Sequence, residues 1–342
     1  MKPSKGKNQN KDKFMKNKLL IMLMSLIPLI ALYAPVTFAA QNIDTCAQLL
    51  DIPNRTTETY MLTQDVNCNG YVQNKAIDFK GKLDGHGYSI IGLEVQYDDN
   101  YMGLFSRIIG GSVIRLRLDS MVITGNESNI AVGLLAGNVA YDSLISDIEI
   151  NASSIRVTES VSYGLGLLVG YASEQSQLEG IRSYNSQIDT TDKAKHVGGL
   201  VGILKESSLN LASVDENQIS ISYDLGGNVS VGGVIGTLEK SVTSDVSIES
   251  STILAGEIDR GYGATFIGKM NKSRLVNGLS INNNIEYLSA GTHWNPAIAA
   301  GYIDDEFGLI PTIENIGVSS SNGFPWYNSD SDVLTKDLQI IE

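Results

Sequence analysis

Three histidines, His86, His196 and His293, are the only imidazoles in the chain, and no two are spaced one helical turn apart around a glutamate. A zinc protease needs that spacing, because both ligands and the general base must share one helix face. That chemistry is therefore excluded. No Gly-x-Ser-x-Gly elbow occurs, and no glycine-rich phosphate loop lies between a strand and a helix. Chemistry on polysaccharides would need two carboxylates at a fixed separation, or a base beside a bound cation. The candidate acids are Asp98-Asp99 and Asp304-Asp305-Glu306, and the candidate bases are Lys82, Arg115 and Arg117. Each has a plainer reading. Asp98-Asp99-Asn100 reads as a loop between strands, and Asp84 with Gly85-His86-Gly87 reads as a turn. No residue is assigned a catalytic role and no metal-ligand set is assigned. The acidic loops would suit a structural calcium ion, which takes hard oxygen ligands, but the Gly-Gly-x-Gly-x-Asp calcium repeat is absent. No other cofactor is expected.

The elements that would position such residues are strands. Short β-branched runs alternate with Gly, Asn, Asp and Ser, and amphipathic helical periodicity is scarce. Six segments share a small apolar unit. They are Gly103-Leu104-Phe105-Ser106, Gly133-Leu134-Leu135-Ala136-Gly137, Gly166-Leu167-Leu168-Val169-Gly170, Gly199-Leu200-Val201-Gly202, Gly233-Val234-Ile235-Gly236 and Thr265-Phe266-Ile267-Gly268. Their first residues stand 30, 33, 33, 34 and 32 positions apart. An alternating run follows each unit, as in Ser143–Ile150 and Gln177–Tyr184, and a third β-rich run closes the period. Each period therefore holds about three strands, which is too little to bury a core alone. Stacked copies bury one together. The expected fold is all-β: a right-handed parallel β-helix of about six coils between N- and C-terminal caps. A β-sandwich with coincidental spacing is the alternative.

The residues left over in each period fall at one place, before each glycine unit. They give loops at Thr124–Asn129, Thr158–Ser162, Thr190–Lys195, Tyr223–Asn228 and Glu257–Tyr262. Insertions recurring at one corner of a solenoid often line a binding face. The candidate binding residues are therefore Glu127, Glu159, Asp192, Lys193, Lys195, Asp224, Glu257, Asp259 and Arg260. Solvated loops with no partner are the alternative.

Charge divides the chain in two. The 342 residues carry 25 Lys+Arg against 38 Asp+Glu, a net charge of −13. Residues 1–39 hold seven of the lysines and one acid, leaving 18 basic and 37 acidic residues and a net −19 for 40–342. Such a body repels nucleic acid, so no nucleic-acid partner is expected. The lysine-rich start, the uncharged Leu19–Ala34 and the small-residue exit at Thr37-Phe38-Ala39-Ala40 have the order of a secretory signal peptide cleaved after Ala39. A retained anchor over Leu19–Ala40 is the alternative. After cleavage no membrane insertion is expected, and the protein is extracellular, on the cell surface or periplasmic. The only cysteines, Cys46 and Cys68, lie just beyond the leader. Export makes a disulfide between them the expected state, with two buried thiols the alternative.

On these residues the chain resembles the GLUG-motif family of secreted β-helix proteins, whose motif is Gly-Leu-(any)-Gly. The units at 166–170 and 199–202 match best. Tyr60–Val66 is similar to the family's "Y-x-L-T-x-D-I" strand, and Phe79–Leu93 to its "F-x-G-x-L-D-G-x-G-x-x-I-x-x-L" segment. Met102–Leu118 resembles the run that follows, and the likeness covers roughly 60–285. The second strand lacks the family's frequent Asn-Cys pair, and the sixth unit begins with Thr265. The resemblance implies a surface or secreted, adhesin-like β-helix with no enzymatic activity in the repeat, sometimes beside immunoglobulin A zinc proteases.

The expected organisation is a signal peptide over 1–39, an N-terminal cap and leading coils over 40–101, GLUG-like repeats over 102–285, and a final irregular coil with a C-terminal cap over 286–342. The expected function is attachment to a surface protein or glycan without catalysis. A β-helical polysaccharide lyase or hydrolase is the alternative.

Overall fold

The computed structural model describes residues 39–97, 99–125, 129–191, 194–304, 311–319, 327–329 and 334–340. Residues 1–38 of the expected leader lie outside them. Ala40–Glu342 is a compact unit of its own.

From residue 40 onward the described residues form a parallel β-solenoid of stacked coils, in which each strand pairs with its copy one coil away. Three sheets run along the stack. Face 1 holds the strand that follows each glycine unit, for example Ala136–Ala140, Val169–Ala172 and Val201–Lys205. Face 2 holds the eight-residue alternating strands such as Leu144–Asn151, Gln177–Tyr184 and Ser208–Asp215. Face 3 carries the closing run of one coil and the strand leading into the next glycine unit, as in Ser154–Val157 and Val161–Gly166. All six glycine units recur at the step onto face 1, and the ladders continue beyond them at both ends. A seventh unit, Ile298-Ala299-Ala300-Gly301, stands in register with the sixth, Ala300 pairing with Ile267.

Along face 2 the in–out alternation breaks once per strand. In Leu144–Asn151, Ile145, Ile148 and Ile150 are buried, so the phase slips between the first and second. The slip sits at Asp147, whose φ is +54°. A left-handed residue turns the chain enough for two successive side chains to face outward. The same device recurs in register at Arg115, Gly180, Leu211, Asp245, Asn277, Asn315 and Asp337.

Both corners flanking face 2 are held by buried polar ladders. At the corner after it, the Ser153 backbone N–H donates to Ser186 Oγ, Ser186 N–H to Asn217 Oδ1, Asn217 N–H to Ser251 Oγ, and Ser251 N–H to Asn283 Oδ1, at 2.9–3.2 Å. At the corner before it, the N–H groups of Ser176, Ser207 and Ser241 donate to the hydroxyls of Ser207, Ser241 and Ser273. Turns leave backbone amides without strand partners, and these side chains satisfy them inside the wall.

One hydrophobic cluster fills the stack from Ile43 to Val318, with Phe79 and Phe105 stacked at 4.5 Å. Its N-terminal end includes the short helix Cys46–Leu50, begun by a capping box at Thr45 and Gln48. Cys46 and Cys68 form a disulfide there.

Two of the expected corner loops are strand. Tyr223–Asn228 lies within Gln218–Gly232, and Glu257–Tyr262 within Thr252–Ala264. The surplus residues are taken up as register shifts between Asp224 and Asn228 and between Ile258 and Arg260. Parallel pairing to a neighbouring coil satisfies those amides better than a turn would, even through Gly226-Gly227.

Candidate binding groove

The glycine that closes each unit after the first shapes the surface. A Cβ on Gly202 would overlap Leu165 N and Gly170 O, and one on Gly170 would overlap Val132 N. Without a side chain there, face 1 folds back until its backbone touches the strand that enters it from face 3. The outer surface at that corner is therefore re-entrant, and it repeats along the stack.

Two residue columns line this corner. The residue after each last glycine points outward from face 1: Asn138, Tyr171, Ile203, Thr237, Lys269 and Tyr302, paired in that order. Opposite runs the incoming column of Tyr101, Ala131, Gly164, His196, Ser230 and Tyr262. Midway, residues of both columns and their neighbours enclose a surface cavity of about 320 Å³, lined by Tyr163, Tyr171, Lys195, His196, Lys205 and Lys269 among others.

The tyrosines work in pairs. Tyr163 and Tyr171 meet edge to face at 5.4 Å, with Tyr163 48% exposed. Tyr262 and Tyr302 stack at 4.5 Å. Lys269 Nζ lies 5.7 Å from the centre of the Tyr302 ring and 3.2 Å from Asp304. Lys205 bonds Glu239 at 3.0 Å, which raises the lysine's pKa. His196 Nδ1 and Thr237 Oγ1 are 2.8 Å apart. Burial, helped by Lys269 and Lys195, lowers the His196 pKa to about 4, so its ring is neutral at pH 7.

At the first coil of the groove Arg107 makes a fork on Asp78, Nε to Oδ1 at 2.8 Å and Nη2 to Oδ2 at 2.6 Å, and lies 5.9 Å from the Tyr101 ring. Asp99 accepts the Tyr101 N–H and adds to the field that raises the Arg107 pKa, after the Asp78 hydrogen bond. Asp98, Asp305 and Glu306 lie outside the described residues. Asp99 and Asp304 sit at opposite ends of the groove, six coil steps or roughly 29 Å apart at the strand spacing of a sheet. They form no catalytic pair with each other, since hydrolases hold their carboxylates within about 10 Å.

The candidate bases Lys82, Arg115 and Arg117 lie on face 2, where Lys82 is exposed and the two arginines are matched to acids. Arg115 forks onto Asp84, whose Oδ1 also accepts the His86 N–H, so Asp84 closes the turn. Burial pushes the Asp84 carboxyl up, but the Arg115 bond and the His86 amide outweigh it and leave it below the usual range. Arg117 lies 3.6 Å from Glu149, which accepts the Tyr184 hydroxyl at 2.6 Å and pushes that phenol up to about 12. Among the described residues, no three His, Cys, Asp or Glu side chains converge on a metal position.

Of the candidate loop residues, Glu159 is exposed, and Lys195 is exposed and lines the groove. Glu127, Asp192 and Lys193 lie outside the described residues. Asp224, Glu257, Asp259 and Arg260 stand on strands, and their side chains lie outside the description. The sequence did not single out Tyr163, Tyr171, His196, Lys205, Lys269, Tyr262 or Tyr302. A signal exists in the residue after each last glycine, which is aromatic at Gly170-Tyr171 and Gly301-Tyr302 and basic at Gly268-Lys269. No protein-family model and no curated protein matches the chain.

Proposed function

We propose that the protein is an exported, adhesin-like β-solenoid that attaches to a protein or glycan surface and carries out no catalysis. The observation that carries this reading is the groove, where tyrosines and lysines from successive coils share one re-entrant surface. Acids and bases on faces 2 and 3 are matched across coils, a pattern suited to holding a wall together. The disulfide fits an oxidising compartment, and the compact unit begins at Ala40, the residue expected to follow cleavage. The GLUG-like units point the same way.

The competing polysaccharide lyase or hydrolase would centre on Asp99, Arg107 and Tyr101. A glycan array run beside turnover assays on polyuronates separates the two. Binding without bond cleavage is the expected result. Cleavage that disappears in Asp99→Asn would overturn the proposal.

A further inference from the structure

We infer that the groove between face 1 and the incoming strands of face 3 binds a carboxylate-bearing sugar within a short glycan segment. This rests on the attachment reading above and names its site and ligand chemistry.

The argument begins with charge. Residues 40–342 carry a net −19, yet Lys195, Lys205 and Lys269 line one cavity whose acids are Glu239 and, through Lys269, Asp304. Local charge there is reversed relative to the body. Lys205 and Lys269 are each paired with an acid. Lys195 is exposed and makes no ion pair among the described residues. It is the cation positioned to meet an incoming carboxylate. The acidic surroundings disfavour a long polyanion and confine an anionic group to this spot.

Ring geometry supplies the second part. Tyr163 is an exposed aromatic ring at the cavity rim, held in an edge-to-face contact with Tyr171. An aromatic ring is apolar on its face and polar at its hydroxyl, which suits a pyranose with its apolar C–H face and its rim of hydroxyls. Neutral His196 and Thr237 add donor and acceptor atoms that bring no second charge. The cavity spans four successive coils, from Tyr171 to Lys269, or roughly 14 Å at the sheet spacing. That length suits a short oligosaccharide lying along the stack.

Calorimetry on the full chain tests this with a uronate trisaccharide, a sialylated trisaccharide and their carboxyl-reduced neutral analogues. Two variants accompany the native protein, Lys195→Glu and Tyr163→Ala. Both sites are exposed, so both variants are expected to keep the native melting curve. Lys80→Glu, the same charge reversal at an exposed lysine outside the cavity, is the control. At least one carboxylated probe is expected to bind, its neutral analogue at least tenfold more weakly, and each groove variant is expected to lose at least tenfold while the control loses little. Which probe binds distinguishes uronate from sialate as the source of the carboxylate. Absence of binding to both probes, equal binding of the neutral analogues, or unchanged binding in both variants overturns the inference. Surface attachment is measured on the same proteins. Attachment that survives both variants, or that depends on a surface protein and not its glycans, overturns the groove assignment but leaves the attachment reading intact. Native protein that attaches to nothing overturns that reading itself.

Discussion

Leu211 shows what a single residue contributes to a coil. It holds a φ of +54° and is 56% exposed, between Gly180 and Asp245 in the left-handed column of face 2. A branched apolar residue costs about 1–2 kcal/mol in that conformation, and asparagine costs less because it tolerates left-handed backbone. Leu211→Asn is expected to stabilise the fold by about 1 kcal/mol in urea unfolding, since little packing is lost at an exposed site. Its amide would also join a ladder that Asn277 and Asn315 already begin, where Asn277 Nδ2 donates to Asp245 and Asn315 Nδ2 to Asn277. His196 gives a second test at this scale. Its pKa is lowered to about 4 in the fold by burial, Lys269 and Lys195, against an ordinary 6.5. Between those values the unfolded chain binds the proton more readily. Stability contributed by neutral His196 is thus fully present above pH 6.5 and is lost as pH falls towards 4. Melting curves from pH 7 to 4 should show this slope, and His196→Gln should flatten it.

At the scale of the element, the corner ladders set the register. Asn217 accepts the Ser186 N–H at 2.9 Å through Oδ1 and donates Nδ2 to Ser183 at 2.8 Å, while 3% exposed. Asn217→Ala leaves a buried amide unpaired and should cost about 1–3 kcal/mol. Asn217→Ser, matching the serines above and below, should recover part of the loss. If the alanine variant melts like the native protein, the ladder is not what holds the corner. Much of this architecture is legible in the sequence, but unevenly. The glycine units announce themselves because steric exclusion at Gly170 and Gly202 admits one residue type. The serine ladders carry the same period, but serine is also an ordinary turn residue, so Ser153 or Ser207 seen alone says nothing about burial. The seventh unit hides because Ile298 replaces the first glycine and alanines replace the larger apolar residues. The strands through Tyr223–Asn228 and Glu257–Tyr262 read as loops because turn-forming residues crowd them, whereas pairing partners come from other coils. The groove is least legible of all. Tyr171 and His196 become neighbours only once the register between coils and the fold-back at the glycines are known.

At the scale of the whole solenoid, no coil is stable without its neighbours, so its ends matter most. The Cys46–Cys68 link closes the N-terminal end, spanning 22 positions. Replacing both cysteines with serine should lower stability by about 3 kcal/mol, within the range for loops of this size. Chemical unfolding with and without reductant measures it, and a native protein indifferent to reductant would show that the end is held by packing alone. The parallel ladders have a mechanical consequence as well. Hydrogen bonds between coils point along the stack, so tension applied through the chain ends would open them one coil at a time. Each coil, 31 to 34 residues by the spacing of its ladder serines and asparagines, would release roughly 110 Å of extended chain. An attached molecule built this way would lengthen in steps under flow and dissipate the load gradually, while the closed disulfide loop withheld its own length to the end.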